Sequence, residues 1–236
     1  MSRVLILGAS GMLGASLSPW LQAAGHDVFR QSRSIGYEVH LNPLDLGAFT
    51  SCLERLQPDV VVNLIAATDV DRCEHEPKWA FDANVAPVLA FLQAARLAKV
   101  EPHLLHISSD QVYDGPGPHV EDFARPCNVY ALSKFSAELS AINYPSTVLR
   151  TNFVGHSLAP KRKSFSDWIV GMLRAQTQLT VFEDVFFSAL HLDSLCKITE
   201  LAIKLKPIGI FNAGTSDGIS KAEFALKLAE LLNLRT

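Results

Sequence analysis

The feature that most constrains the fold is a glycine-rich segment near the N-terminus. Gly8, Gly11 and Gly14 have the spacing G-x-x-G-x-x-G, between an apolar run at residues 3–7 and a helical pattern at 12–24. A strand that turns directly into a helix presents unpaired N–H groups to a pyrophosphate, and glycines let the backbone approach it closely. The segment predicts a dinucleotide site, although a merely tight strand–helix turn has the same pattern. The predicted contact residues are Gly8, Ser10, Gly11, Met12, Leu13 and Gly14.

Apolar runs and helical patterns alternate along the rest of the chain. Strands are predicted at 3–7, 27–30, 59–65, 103–107, 147–150, 179–182 and 209–212, and helices at 12–24, 44–56, 79–97, 129–142, 165–175, 193–205 and 221–232. This alternation predicts an α/β fold with a doubly wound parallel sheet of the Rossmann type. We expect residues 1–151 to form an NAD(P)-binding domain. Residues 152–236 should form a small substrate-binding region, some of whose elements return to the sheet.

Composition excludes several other classes of protein. The 236 residues carry 21 Lys and Arg against 24 Asp and Glu, a formal net charge of −3. Such a balance offers no basic footprint for nucleic acid or an anionic membrane. No apolar run reaches the roughly 18 residues of a membrane span, and residues 4–7 are too few for a signal peptide. The 4 cysteines lie far apart, which favours reduced thiols over a metal site. We therefore expect a cytoplasmic protein without a metal.

The end of the second predicted strand bears on the choice of cofactor. It consists of Arg30, Gln31, Ser32 and Arg33, where an NAD-preferring site carries an acidic residue that holds the ribose hydroxyls. An arginine can instead pair with the 2′-phosphate of NADP. We therefore expect Arg30 and Arg33 to favour NADP(H), with NAD(H) as the alternative, unless both arginines are simply surface residues.

A second motif concerns chemistry. Tyr130 and Lys134 are four residues apart in a predicted helix, hence on one face. A nearby cation can lower the pKa of a phenol towards a useful range, whereas the other interpretation is two unrelated surface residues. Upstream, Ser109 follows a predicted strand, and the carboxyl ends of strands are where open α/β sheets place their chemistry. A serine there can hydrogen-bond a substrate carbonyl.

Taken in order, these motifs resemble the extended short-chain dehydrogenases/reductases, and within them the dTDP-4-dehydrorhamnose reductase branch of sugar-nucleotide enzymes. The resemblance covers essentially the whole chain. The matching segments are residues 8–14, 58–63, 66–71, 81–84, 108–113, 130 with 134, and 149–152.

The resemblance implies specific roles. Tyr130 would donate a proton to a keto oxygen, Lys134 would hold the cofactor ribose and lower the pKa of Tyr130, and Ser109 would orient the carbonyl. Tyr130 and Lys134 would thus both contact the cofactor. Four further residues would line or support the cofactor groove: Asn42, where relatives often have Asp beside the adenine, Ala66, Ala67 and Asn84.

The resemblance leaves several reactions open. Dehydratase relatives carry Thr-Asp-Glu where this chain has Ser109, Asp110 and Gln111, and glutamine cannot transfer a proton as glutamate does. Dehydration is therefore disfavoured, and NADPH-dependent reduction of a 4-keto nucleotide-sugar or related ketone is the leading hypothesis. The alternatives are a nucleotide-sugar epimerase and a non-catalytic regulatory subunit resembling the β subunit of methionine adenosyltransferase. A homodimer is one possibility.

The substrate side carries weaker signals. Family members commonly continue past the last predicted helix, so we expect part of the usual substrate region to be missing. Residues 161–163 form a basic run that is either a solvated loop or an anion contact for a phosphorylated substrate. Four aromatic residues could stack on a nucleotide base or simply pack in the core: Phe165, Trp168, Phe186 and Phe187.

Overall fold

A computed structural model describes residues 1–115, 117–160 and 162–234. Its strands are β1 (Arg3–Leu7), β2 (Asp27–Ser32), β3 (Val39–His40), β4 (Val60–Asn63), β5 (His103–Ser109), β6 (Ser146–Thr151), β7 (Phe153–Val154), β8 (Phe186–Phe187), β9 (Leu190–His191), β10 (Gly209–Ala213) and β11 (Ile219–Ser220). Its helices are α1 (Met12–Ala23), α2 (Leu46–Leu56), α3 (Val70–His75), α4 (Pro77–Asn84), α5 (Ala86–Ala98), α6 (Val129–Ala141), α7 (Phe165–Arg174), α8 (Leu192–Leu205) and α9 (Lys221–Leu231).

Seven strands form one parallel sheet in the order β10-β6-β5-β4-β1-β2-β3. Successive side chains of a strand point to opposite faces, so β1 places Val4 and Ile6 in one core and Leu5 and Leu7 in the other. The first core is covered by α1 and α8, and the second by α2, α5 and α6. The prediction of a doubly wound Rossmann-type sheet is confirmed.

The predicted strand at 179–182 is wrong. These residues form no strand, and 64% of Phe182 is exposed to solvent. A run of β-favouring residues forms a strand only where a partner strand lies beside it. Here the residues that find a partner strand come a few positions later in the chain. Phe186–Phe187 pairs antiparallel with Ile219–Ser220 in a separate two-stranded sheet.

The predicted helix at 79–97 is also divided. The chain forms α4, turns at Val85, and begins α5 one residue before Pro87. Proline lacks an N–H and fixes φ, so it is tolerated in the first turn of a new helix but not inside a continuous one. Short elements were not predicted, because none is long enough to show a hydrophobic period; these are α3, β3, β7, β8, β9 and β11.

The C-terminal region contributes to the main sheet and also forms a smaller lobe. β10 extends the sheet beside β6, whereas β7 pairs with β9 and β8 with β11 outside it. α7 and α9 are joined by ring contacts of Phe165 and Phe187 with Phe224. The division at residue 151/152 stays a prediction. Within the described part of the chain, no helix is long and apolar enough to cross a bilayer.

Candidate active site

The glycine loop joins β1 to α1 at the carboxyl edge of the sheet. Gly8 has φ +79°, and a Cβ there would lie 3.2 Å from the backbone nitrogen of Ile65. A Cβ on Gly14 would lie 2.6 Å from backbone atoms of Ala9, so only glycine lets α1 approach the loop this closely. Gly11 caps α1 without a side-chain hydrogen bond, which leaves the N–H groups of the first turn for a ligand.

An open cavity of about 840 Å³ runs along this loop. It is bounded by the glycine loop, the end of β2, the segments after β3 and β4, helix α4 and the loop after β7. Of the predicted cofactor residues, those that line it are Gly8, Ser10, Gly11, Arg33, Asn42 and Ala66. Met12 and Leu13 instead pack their side chains into the core beside α1.

The two predicted arginines have different positions. Arg33 lines the cavity, close to Ser10 and Ser32, whose hydroxyl oxygens lie 3.0 Å apart. Arg30 does not line it. Its guanidinium forms an ion pair with Glu38 and lies 5.6 Å from the ring centre of Tyr37. The carboxylate eight residues further on occupies its donors, and a contact of Arg30 with the cofactor stays a prediction.

Gln31 supports the glycine loop, a role that was not predicted from the sequence. Its Oε1 accepts a hydrogen bond from the Gly8 nitrogen at 2.9 Å, and its Nε2 donates to the carbonyl oxygen of Leu41 at 2.7 Å. Only 2% of the residue is exposed. A polar residue at a buried strand position was the available signal.

Asn84 and the segment after β4 form the inner wall of the site. The side chain of Asn84 accepts a hydrogen bond from the Ala67 nitrogen at 2.7 Å and donates to Ser133 Oγ on α6 at 2.7 Å. Ala67 in turn packs in one apolar cluster with Tyr130, while its neighbour Ala66 lines the cavity. Asn84 thus ties the cavity wall to the helix that carries Tyr130.

Ser109 and Tyr130 meet at the carboxyl end of β5. The Ser109 hydroxyl accepts from the Gln111 nitrogen at 3.1 Å, and the same hydroxyl, close to Tyr130, lowers the pKa of that phenol. Burial dominates, however, and together with the Asp110 charge it raises the pKa of Tyr130 to about 12. Burial thus outweighs the lowering effect of Ser109, and the expectation that Lys134 lowers this pKa stays a prediction.

Lys134 lies one turn after Tyr130 and is fully buried. Its Nζ donates to the carbonyl oxygen of Ile107 at 2.7 Å. Burial lowers its pKa to about 8, against an opposing effect of the Glu138 carboxylate. The ammonium in turn adds to the effect of burial that holds the pKa of His106 well below its usual value.

Asp110 is a further functional candidate. In the sequence it was used only as part of the triplet Ser109, Asp110 and Gln111 that disfavours dehydration. Its carboxylate accepts from Asn152 Nδ2 at 3.1 and 3.2 Å. Burial raises its pKa to about 6, although Asn152, Ser109 and the charge of Lys221 oppose the rise. Perturbed carboxyl groups of this kind concentrate at functional sites. The signal in the sequence was an acid directly after a buried strand.

A buried ion pair lies directly beneath these residues. Arg150 on β6 donates to Glu138 on α6, with 2.6 Å between Nη2 and Oε2. Ser108 Oγ also donates to Glu138. Arg150 further donates to the Tyr113 hydroxyl at 2.8 Å and to the Glu121 carbonyl oxygen at 2.7 Å. The pair connects β5, β6, α6 and the loop that follows β5.

The aromatic residues of the small lobe divide into packed and exposed members. Phe165 and Phe187 contact each other and Phe224 within the lobe. Trp168 is partly exposed and Phe186 is 66% exposed. Core packing therefore accounts for Phe165 and Phe187, and stacking on a base stays a prediction for Trp168 and Phe186. Of the basic run, Lys161 lies outside the described residues.

Comparisons with known proteins agree with this geometry. A family model described as the RmlD substrate binding domain matches residues 2–236. The spore coat polysaccharide biosynthesis protein SpsK of Bacillus subtilis is 31% identical over 244 aligned positions, covering 100% of this chain and 81% of that protein.

Two solved structures are similar. A hypothetical dTDP-4-dehydrorhamnose reductase from Sulfolobus tokodaii has a TM-score of 0.87 at 30% identity, covering 99% of this chain and 84% of that chain. A dTDP-4-dehydrorhamnose reductase from Bacillus anthracis in complex with NADP has a TM-score of 0.86 at 21% identity, covering 100% and 82%. The second likeness is evidence for the fold alone.

Proposed function

The chain belongs to the RmlD substrate binding domain family, within the extended short-chain dehydrogenases/reductases, and on that basis we propose that it reduces a 4-keto nucleotide-sugar with NADPH. The observation that carries the proposal is the meeting of Ser109 and Tyr130 at the end of β5, next to the wall of the glycine-loop cavity. NADH is the alternative cofactor. The product is an alcohol, as in dTDP-4-dehydrorhamnose reductase.

The residues of the cavity fit a dinucleotide. The close approach of backbone at Gly8 and Gly14 leaves a surface without side chains, and the uncapped start of α1 offers N–H groups to a pyrophosphate. Arg33, with Ser10 and Ser32, supplies donors for a 2′-phosphate. When bound, NADPH supplies the hydride for the keto carbon.

Tyr130 acts as an acid in this reaction. With its pKa raised to about 12, the phenol carries its proton at neutral pH. A developing alkoxide is more basic than a phenolate, so the proton passes to the keto oxygen as the hydride arrives. Ser109 gives a second hydroxyl within reach of the same oxygen, which stabilises the charge that develops there.

Lys134 and Asn84 serve the site indirectly. Lys134 is held by the Ile107 carbonyl, and its remaining N–H donors would bind the cofactor ribose. Asn84 fixes Ala67 against α6, so that Tyr130 keeps its place relative to the cavity. Both roles are part of the proposal.

The test measures NADPH consumption with a panel of 4-keto nucleotide-sugars. The Tyr130→Phe variant should lose about 10²- to 10⁴-fold in kcat, the usual contribution of a positioned proton donor. Its Kd for NADPH should stay within about threefold of wild type, because the substitution removes one oxygen atom. The Tyr144→Phe variant is the matched control. Tyr144 is partly buried and donates its hydroxyl to the Pro102 carbonyl, away from the site.

Two outcomes would contradict the proposal. If no 4-keto nucleotide-sugar is reduced, or if Tyr130→Phe turns over like Tyr144→Phe, the reductase mechanism fails. Tight NADP binding without turnover, together with a co-purifying enzyme, would favour the regulatory alternative. Interconversion of nucleotide-sugars without net NADPH consumption would favour an epimerase.

Self-association stays a prediction. Helices α5 and α6 pack side by side and both expose apolar side chains. These are Leu89, Leu97, Leu132, Leu139 and Ile142. Apolar side chains on adjoining helices suit an isologous contact with a second copy. A cytoplasmic location also stays a prediction.

A further inference from the structure

The cavity beside the glycine loop has a second wall, formed by residues distant in sequence. Pro160 and Arg162, in the loop between β7 and α7, line the same cavity as Gly8, Ser10 and Gly11. The small lobe therefore contributes directly to the proposed cofactor site. The inference below rests on the proposed function and concerns what this second wall does.

The loop that carries Arg162 is tied down by the first turn of α7. Asp167 accepts hydrogen bonds from the Ser157 nitrogen at 2.9 Å and the Ser164 nitrogen at 3.1 Å. His156 Nδ1 lies 2.9 Å from the same carboxylate. These bonds, with the Ser164 hydroxyl, hold the pKa of Asp167 low, at about 2, although burial opposes them. The carboxylate is therefore ionised at any ordinary pH, and the loop stays fastened at both ends.

Arg162 brings an uncompensated charge to the cavity. Among the described residues its guanidinium has neither an ion-pair partner nor a side-chain hydrogen bond, and the same is true of Arg33. The acidic residue of the lining, Asp82, is paired with Lys78. The cavity thus presents two available guanidinium groups, which suits a ligand with two separate anionic groups.

The two arginines belong to different ends of such a ligand. Arg33 extends from the end of β2, beside Ser10 and Ser32, where a 2′-phosphate would lie. Arg162 comes from the opposite lobe, facing the cavity that the start of α1 also borders. We propose that Arg162 binds the pyrophosphate of the dinucleotide from the side opposite the glycine loop, so that the ligand itself joins the small lobe to the Rossmann sheet.

The two arginines are distinguished by measuring the Kd of NADPH and NADH for three variants by calorimetry. Arg162→Gln should weaken both dinucleotides by the same factor, about tenfold, because both contain the pyrophosphate. Arg33→Gln should weaken NADPH alone and leave NADH unchanged. Lys163→Gln is the matched control, since this neighbouring basic residue does not line the cavity. It should leave both constants unchanged.

Other results overturn the inference. A Kd for both dinucleotides equal to wild type in Arg162→Gln would show that the guanidinium does not contact the cofactor. Weakening of NADPH alone would place it on the 2′-phosphate. A change only in the Kd of dTDP would assign it to the diphosphate of the substrate. If the wild-type protein binds neither dinucleotide, the proposed function fails first, and that result is distinct from a failure confined to the variant.

Discussion

Lys134 and Arg150 are both buried cations near the carboxyl ends of the central strands, but their surroundings differ. Arg150 is paired with Glu138 and fills its remaining donors with Tyr113 and a backbone carbonyl. Lys134 has the Ile107 carbonyl as its hydrogen-bond partner and a pKa lowered to about 8. Asp110 is a partly buried acid in a similar condition, with a pKa raised to about 6.

The difference separates two uses of buried charge. The Arg150–Glu138 pair satisfies itself and connects four elements of the fold. Lys134 and Asp110 are held in place but not neutralised, which costs stability and leaves them responsive to a ligand. Groups of the second kind are expected where binding or proton transfer occurs. Substitutions at these positions should therefore change stability in opposite directions.

The largest effect is expected at Arg150. Arg150→Met should lower the free energy of unfolding by about 3–5 kcal/mol, because Glu138 is left buried without a counter-charge. Urea denaturation measures this change. The double variant Arg150→Met with Glu138→Leu removes both charges and should regain most of the loss. If the double variant is as unstable as the single one, the charge pair is not the reason.

Lys134→Met should change stability in the other direction. Burial lowers the pKa from 10.5 to about 8, so the folded protein binds this proton less tightly than the unfolded chain. The charged Lys134 lowers the free energy of unfolding fully below about pH 8. This loss disappears as the pH rises past 10.5, the pKa of lysine in the unfolded chain. The free energy of unfolding of the variant should exceed that of wild type by about 3 kcal/mol at pH 7 and by much less at pH 10, while turnover is lost. A less stable variant at pH 7 would contradict the comparison.

Asp110→Asn should raise the free energy of unfolding by a somewhat smaller amount, and in a different pH range. Its pKa rises from 3.8 to about 6 on folding, so the folded protein holds the proton more tightly. Wild-type stability should therefore fall as the pH rises from about 4 to about 6. The variant lacks this fall and should be about 2–3 kcal/mol more stable at pH 7. Equal pH profiles of melting temperature for both proteins would refute the prediction.

Much of the fold follows from local sequence. The glycine loop, the strands β1, β5 and β6 and the helices α1, α6 and α8 are each marked by apolar periodicity or by turn residues. The encounter of Ser109 with Tyr130 was implied by the family resemblance, and Ser109 was expected at the carboxyl end of its strand. These features need no knowledge of distant contacts beyond the order of the motifs.

The remaining features depend on contacts between side chains that local sequence patterns do not predict. Glu38 engages Arg30, and Gln31 turns inward to hold Gly8. Arg162 lines the cavity from a loop that hydrogen bonds to Asp167 hold in place. In each case a polar side chain is positioned by a contact that tertiary packing creates. Such contacts cannot be identified from the local sequence.

The pairing of β10 with β6 has a consequence for how the protein can be divided. All six residues of β6 are buried, and its outer edge pairs with Gly209–Ala213 from the far end of the chain. A fragment that stopped after Thr151 would leave the backbone N–H and C=O groups of this edge unpaired, as a template for intermolecular strand addition. The cofactor-binding region therefore depends on the C-terminal region for its solubility as well as for Arg162.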